Sequence, residues 1–104
     1  MDMKQMMRQA QKMQAQLAQA QEEIRSMTFE AAAGGGMVKA VVRGDLSLES
    51  ISIDPAVVDP DDVEMLEDMV TAAVNEALRG MNELSEQRLG AVTGGMNIPG
   101  MPGF

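Results

Sequence analysis

The chain lacks the residue types on which many catalytic and metal sites depend. Its 104 residues include no Cys, no His, no Trp and no Tyr, and only two Phe. Without Cys there is neither a disulfide nor a thiolate metal site, and without His the Ser-His, Cys-His and His-based metal arrangements are excluded. We therefore expect an aliphatic core, with the twelve Met residues as its adaptable filler.

The sequence also lacks the apolar segments that direct a chain to or across a membrane. It shows no basic-plus-apolar leader and no apolar run near the roughly eighteen residues of a membrane span. We expect neither export nor membrane insertion, and the cytoplasm is the simplest location. The length allows one small domain, which we place at residues 1–90, followed by a Gly- and Pro-rich tail at 91–104 that we expect to be flexible.

The sequence also lacks the other motifs that are typical of enzymes. The glycines at 34–36 are followed by neither a dinucleotide-loop glycine nor a Gly-Lys-Ser/Thr motif. The Asp-rich segment at 59–62 lacks the glycine and the distal Glu of a calcium loop. Paired carboxylates are more simply solvated helix faces or helix-start anions than catalytic pairs; they are Glu22-Glu23, Asp61-Asp62 and Glu67-Asp68. The sequence predicts a protein that is not an enzyme, with no catalytic residue, metal, cofactor or small-molecule substrate.

A heptad pattern of apolar residues runs through the first quarter of the chain. Steps of three and four alternate without a slip, as at the a and d positions of a coiled coil. Within residues 1–27, this pattern predicts a projecting helix whose stretch from Met3 to Met27 is roughly 37 Å long, against a radius of gyration near 13 Å for a compact domain of this length. We call these positions the seam: Met3, Met6, Ala10, Met13, Leu17, Ala20, Ile24 and Met27.

The seam has two interpretations. The first is helix pairing, either between two copies of this helix or against a second helix of the same chain. The second is an exposed Met-rich surface that binds apolar protein segments, because flexible Met side chains adapt to many partners. Strict a/d spacing favours pairing.

A basic stripe lies on the opposite side of the same helix. It consists of Lys4, Arg8 and Lys12, which are spaced by four and so stay within an arc of about 80°. Residues 1–21 carry three basic side chains against one acidic, a net charge of +2, whereas residues 22–104 carry five against fifteen, a net charge of −10. The stripe could be an ordinary solvated face, but only Asp2 precedes Glu22 as an acid. Basic side chains among neutral glutamines, which can bond phosphates or base edges, are also typical of nucleic-acid contact.

The middle of the chain predicts two or three antiparallel strands within residues 28–54. Thr28 to Ala33 could form a short strand, and glycines 34–36 form a turn. Met37 to Arg43 alternates as a half-buried strand, and Leu46 to Ile53 is its hairpin partner. The apolar phase changes between Leu48 and Ile51, which predicts a bulge or a twist in that strand.

A second helix follows over residues 59–89. Asp59 is placed to cap it, Pro60 suits its first position, and a broad apolar stripe from Val63 to Leu84 would cover the sheet. Gly80 predicts a kink or early fraying, and Gly90 is predicted to fall outside any regular element. The order helix, strands, helix predicts an α+β fold. Because so small a sheet with one covering helix is marginal alone, we expect a homodimer.

These segments together resemble the YbaB/EbfC family of small bacterial nucleoid-associated proteins. The resemblance covers nearly the whole chain, in the same order. Its segments are MKQMMRQAQKMQAQLAQAQEEI, GGGMVKAVVRG, SIDPAVVDPDDVEMLEDMVTAAVNEAL and TGGMNIPGM.

The resemblance implies a tweezer-like homodimer with a sheet-based body and projecting helices, which binds double-stranded DNA at the nucleoid, alters its conformation and takes part in gene regulation. It implies DNA contact by Lys4, Gln5, Arg8, Gln9 and Lys12, and less directly by Arg79 and Arg88. Relatives are often more basic near residues 79–88, and these two arginines are nine apart, on opposite helical faces. The alternative function is a coiled-coil adaptor or holdase that binds apolar protein segments through the seam.

Overall fold

Two helices flank a three-stranded antiparallel sheet, which confirms the predicted α+β fold. The computed structural model describes residues 2–93. The elements are α1 (Met3–Ser26), β1 (Thr28–Ala33), β2 (Val38–Arg43), β3 (Leu48–Ile53), a 3-10 turn at Pro55–Val57, and α2 (Val63–Thr93). Of the two or three strands predicted, three are present, and the Ala-rich segment Thr28–Ala33 is one of them.

The sheet has the order β1-β2-β3, and one of its faces forms the core. Val38, Ala40 and Val42 of β2 are fully buried and pack with Ala73 and Ala77 of α2. Alternation along β2 sends Lys39, Val41 and Arg43 to the opposite face, which we call the outer face. The core is aliphatic, as predicted, and its largest fully buried side chain is Met81.

The predicted bulge lies in β3, at Glu49. The pairing moves from Val41 opposite Ser50 to Val42 opposite Leu48, so that Glu49 has no partner on β2. The extra residue sends the Glu49 carboxylate to the outer face, where it accepts a hydrogen bond from Arg43 at 3.3 Å. Leu48, opposite the buried Val42, therefore lies on the inner face with Ile51 and Ile53.

The β2-β3 turn is longer than the sequence predicted, because β3 begins at Leu48 and not at Leu46. Leu46 adopts a left-handed φ of 66° and donates its N–H to the carbonyl of Arg43 at 2.8 Å. Asp45 supports the turn by accepting hydrogen bonds from the hydroxyl and the N–H of Ser47. These bonds, the hydroxyl's first, lower the pKa of the Asp45 carboxyl from its ordinary value of 3.8.

The predicted start of α2 at Asp59 and Pro60 is wrong. The Asp59 carboxylate accepts the N–H of Asp61 at 2.9 Å, which makes a local turn that contains Pro60. The Asp62 carboxylate accepts the N–H of Met65 at 3.3 Å, so Asp62 is the residue that caps the helix, which begins at Val63. Of several adjacent Asp residues, the sequence alone could not select the capping one.

The predicted end of α2 is also wrong, because the helix continues through Gly80 and Gly90 to Thr93. Gly80 is a packing residue: a Cβ atom there would lie 2.1 Å from Cε1 of Phe29, so the ring occupies the space of the missing side chain. Residues 91–93 of the predicted tail are helical. The rest of that tail, 94–104, lies outside the described residues.

α1 contacts the body only through its C-terminal half. Ala20 and Ile24 are buried, whereas every side chain from residue 2 to residue 12 is exposed. The β2-β3 turn fits closely under the end of α1, since a Cβ on Gly44 would lie 1.6 Å from the Ile24 carbonyl oxygen and the Gly44 N–H donates to the Met27 carbonyl at 2.9 Å. We call residues 3–12 the free end of α1.

In Gly80→Ala, overlap of the new methyl group with the Phe29 ring should cost about 1–3 kcal/mol. The gain of about 1 kcal/mol in helix propensity offsets part of this cost, so the free energy of unfolding should fall by up to about 2 kcal/mol. Urea denaturation followed by far-UV circular dichroism measures the change. The control makes the same Gly80→Ala change in a Phe29→Leu variant, which lacks the ring atoms that overlap. If Gly80→Ala lowers the free energy of unfolding equally in the wild type and in Phe29→Leu, the packing role of Gly80 is wrong.

Candidate nucleic-acid interface

The basic stripe lies on the free end of α1, where the helix starts. Asp2 caps the helix by accepting the N–H of Gln5 at 2.8 Å, so the one acid of this region is engaged with the backbone. From this start, Lys4, Arg8 and Lys12 occupy three successive turns and span about 12 Å along the axis. The structure thus brings the three predicted cations together on one exposed face.

Ion pairing separates the stripe from the other cations. Among residues 2–93, the four ion pairs engage Arg25, Arg43, Arg79 and Arg88. Within the same residues no acidic side chain lies within ion-pair distance of Lys4, Arg8, Lys12 or Lys39. Three of these four unpaired cations are the stripe, and Lys39 lies apart on the outer face of the sheet.

Gln5 and Gln9 adjoin the stripe. At 100° per residue they lie about 20° and 60° beyond Lys12, between the stripe and the seam. Both side chains are exposed. An amide there can donate to a phosphate oxygen or bond a base edge, and its neutrality leaves the positive charge of the stripe intact.

Arg79 and Arg88 do not join the stripe. Arg79 forms an ion pair with Glu76, one turn earlier on α2. Arg88 forms an ion pair with Glu23 of α1, and this pair lies eleven residues, or about 16 Å along the helix, from Lys12. Arg88 therefore links the two helices.

The sequence analysis missed Glu23 as the partner of Arg88. The two residues are 65 positions apart, and only the antiparallel packing of α1 on α2 brings them together. They lie in an open cleft of about 340 Å³ between the helices, which Gln16, Gln19 and Val92 also line. No local pattern in the sequence signals such a contact.

The seam divides between two environments. Its second half packs inward: Ala20 and Ile24 are buried, and Met13, Leu17 and Met27 are half-buried. Its first half is bare, because Met3 and Met6 are 79% and 57% exposed and Ala10 is exposed as well. Met7, beside the seam, is 59% exposed.

Other kinds of site find little support in the part of the chain that the structure describes. No group of three acidic side chains there is placed to hold a metal ion. No helix within that part is both long and apolar enough to cross a membrane. A second cleft, of about 400 Å³ near the start of α2, is lined by Asp62, Glu64 and Asp68, whose charge is unfavourable for a phosphate.

Comparison with known proteins places this geometry in a family. The model of the YbaB/EbfC DNA-binding family matches residues 1–96. A nucleoid-associated protein of Thermoanaerobacter sp. (strain X514) is 55% identical over 96 residues, which cover 92% of this chain and 86% of the relative. One of Nocardia farcinica is 47% identical over 103 residues, which cover 99% of this chain and 94% of the relative.

A solved structure shows the same fold at lower sequence similarity. The crystal structure of an uncharacterized protein from Helicobacter pylori superposes with a TM-score of 0.67 at 23% identity. The match covers 84% of this chain and 91% of that one. The fold, the extent of the family match and the identity to nucleoid-associated proteins agree with one another: the chain belongs to the YbaB/EbfC DNA-binding family of nucleoid-associated proteins.

Proposed function

We propose that this protein binds duplex DNA as a homodimer through the free end of α1, and that it is a binding protein and not an enzyme. By altering the conformation of DNA it contributes to nucleoid organisation and to the regulation of gene expression, in the cytoplasm at the nucleoid. The observation that carries the proposal is the exposed stripe of Lys4, Arg8 and Lys12, unpaired within residues 2–93, in a member of a DNA-binding family.

The distribution of charge supports DNA contact through the free end of α1 and not through the body. The body is strongly acidic, so a polyanion is attracted to the free end of α1 and repelled by the rest of the surface. Screening over about 8 Å at physiological salt limits the repulsion to nearby groups. Contact is therefore concentrated on the stripe and is made mainly with phosphates, which carry little sequence information.

The remaining candidates have smaller parts in this proposal. Gln5 and Gln9 bond phosphates or base edges beside the stripe. Arg79 and Arg88 add positive potential that Glu76 and Glu23 largely offset, so their share of the binding free energy is below that of the stripe. No residue here fixes a half-site, and sequence preference is modest.

The seam serves helix pairing in this proposal. Ala20 and Ile24, with Leu17, hold α1 against the body, so that the free end projects at a fixed angle. Met3, Met6 and Ala10 continue the same line of side chains and offer an apolar side to a second helix. The basic stripe faces the other way and remains open to DNA.

Replacing Lys4, Arg8 and Lys12 together with Gln should abolish most DNA binding. Three phosphate contacts in each of two chains give a slope of log K against log salt near −5 for the wild type, and the variant should lose most of it. Mobility-shift titration on duplex DNA between about 0.05 and 0.2 M salt measures both quantities.

The matched control replaces Arg25, Lys39 and Arg43 with Gln, which changes the net charge by the same amount but leaves the stripe in place. Binding by this control should stay close to that of the wild type. If both triple variants weaken binding equally, the effect is one of total charge, and the assignment of the stripe as the DNA contact is wrong.

Arg88 and Glu23 provide a test of how far α2 contributes. Because their side chains are 51% and 41% exposed, breaking the pair should lower the free energy of unfolding by only about 0.2–1 kcal/mol in Arg88→Gln and in Glu23→Gln alike. DNA affinity should change little in either variant. A large loss in Arg88→Gln together with a gain in Glu23→Gln, measured by the same titration, would instead make Arg88 a direct DNA contact.

The exposed methionines favour a second candidate function, a coiled-coil adaptor or holdase. Met3, Met6 and Met7 form an apolar patch that a non-native protein segment could occupy. Under the DNA-binding proposal, the protein should not slow the thermal aggregation of an unrelated client such as citrate synthase, measured by light scattering. Protection that the triple Gln variant retains but that Met3→Gln/Met6→Gln removes would establish the holdase instead.

A further inference from the structure

The free end of α1 is a stretch of helix that no other part of the described chain supports. Every side chain from residue 2 to residue 12 is exposed, and contact with the body begins only near Met13. An isolated helix of fewer than about 12–15 residues is marginally stable in water, since most helical stability in proteins comes from tertiary packing. The free end therefore depends on its own hydrogen bonds, its helix propensity and its continuity with the packed half of α1.

The charges of the stripe oppose the helix that carries them. Lys4 and Arg8 are four residues apart, as are Arg8 and Lys12, so like charges are neighbours on successive turns. Like-charge pairs at this spacing destabilise a helix by about as much as opposite charges stabilise it. No acidic side chain among residues 2–93 lies within ion-pair distance of these three cations, so their mutual repulsion is not offset locally.

The helix dipole adds to this opposition in the first turn. The N-terminal end of a helix carries a partial positive charge, which acidic side chains stabilise and basic side chains destabilise. The first turn of α1 contains no acid, and Lys4 is its second residue. The cap, Asp2, is the one favourable charge, and its carboxylate accepts the N–H of Gln5. Beyond the cap, the charges at this end are the reverse of those that favour a helix.

The other helix termini show the arrangement that favours a helix. Arg25 lies in the last turn of α1, where a cation complements the negative end of the dipole, and it pairs with Glu22 at 3.3 Å. The helix α2 begins with Asp62 as its cap and Glu64 in its first turn. Local charge thus stabilises the packed end of α1 and the start of α2, and it destabilises the free end.

We infer that the free end of α1 is a DNA-dependent helix, which frays from its first turn without a polyanion and is held helical by bound duplex DNA. The inference rests on the DNA contact proposed above and adds a conformational step to it. Phosphates placed along the stripe supply the negative charge that it lacks, so DNA removes the repulsion that opposes the helix. Only the helical form aligns the three cations on one face. DNA therefore binds this form better than the frayed one and shifts the equilibrium toward it.

This step makes salt and mutation act in opposite directions on the helix and on DNA binding. Salt screens the repulsion within the stripe and so stabilises the free end, although it weakens the phosphate contacts. Replacing the stripe cations with Gln likewise stabilises the free end while it weakens binding. Lys, Arg and Gln have similar helix propensities, so the change in charge is the cause of the change in stability. A free end without self-repulsion would show neither effect.

The test measures the ratio of helical to frayed forms of residues 3–12 from backbone carbon chemical shifts by NMR. In the wild type without DNA, this ratio should rise about fivefold between about 0.02 and 0.3 M salt. A saturating short duplex at low salt should raise it about 10-fold or more. The shifts of residues 17–24, in the packed half of α1, should stay constant and serve as the internal reference.

The triple Gln variant of the stripe distinguishes self-repulsion from stabilisation by any bound ligand. Without DNA at low salt, its helical-to-frayed ratio should exceed that of the wild type about fivefold and should hardly respond to salt. The matched control replaces Arg25, Lys39 and Arg43 with Gln, which removes the same charge outside the free end. Its ratio for residues 3–12 should equal that of the wild type.

The outcomes separate this inference from the proposed function. A wild-type free end that is fully helical at low salt without DNA would overturn the inference and leave the DNA contact standing. A triple Gln variant that is no more helical than the wild type would do the same. An equal rise in the control variant would also overturn it, because total charge would then be the cause. If the wild type binds no duplex DNA at any salt concentration, both the proposed function and the coupling of the helix to DNA are refuted.

Discussion

The packing of the second half of α1 against α2 and the β2-β3 turn is the contact on which the rest of the structure depends. Ala20 and Ile24 supply the buried surface, and Gly44 allows the turn to approach the helix backbone closely. Because this contact begins only near Met13, the ten residues of the free end project without a neighbour among the described residues. The same helix is therefore packed against the body at one end and fully exposed at the other.

The distribution of ion pairs follows from this division. Arg25, Arg43, Arg79 and Arg88 lie where acidic side chains are dense, and each has a Glu within reach. The cations of the free end lie beyond the reach of those acids, and Asp2, the one acid beside them, caps the helix. A chain with twice as many acidic as basic residues can thus keep a positive surface. The positive surface arises because the basic residues of the free end lie far along α1 from the acidic residues of the body, although acids outnumber bases in the chain as a whole.

Periodicity in the sequence predicted most of the architecture. The heptad pattern located α1 to within two residues, alternation located β2 to within one, and the phase change in LSLESISI indicated the irregularity that proves to be a bulge at Glu49. The predictions were wrong at the ends of α2, where neighbouring residues are equally able to begin or end a helix. Asp59 and Asp62 are both competent helix caps, and Gly80 and Gly90 break helices by propensity but here lie inside one. In the case of Gly80, contact with Phe29, 51 residues away, outweighs propensity, and a local pattern carries no information about it.

The basic stripe could be predicted from the sequence, but the ion pairing of the other candidate residues could not. The spacing of Lys4, Arg8 and Lys12 was sufficient to place them on one helical face, and the structure adds that this face is exposed and unpaired within residues 2–93. The pairing of Arg88 with Glu23 was not predictable, because it depends on the register of two helices separated by the whole sheet. Contacts between residues far apart in the chain, and not the chemistry of single residues, are what the sequence could not predict.

The bulge at Glu49 has a consequence for the spacing of the side chains along β3. Without Glu49 the strand sequence would alternate regularly from Leu48 through Ser50, Ile51 and Ser52 to Ile53, with the same aliphatic side chains on the inner face. Glu49 is thus a one-residue insertion: the pairing register shifts by one residue between Val41 and Val42, while the aliphatic side chains of β3 stay on the inner face. Loss of this residue would therefore restore regular alternation and keep Leu48, Ile51 and Ile53 on the inner face of the sheet.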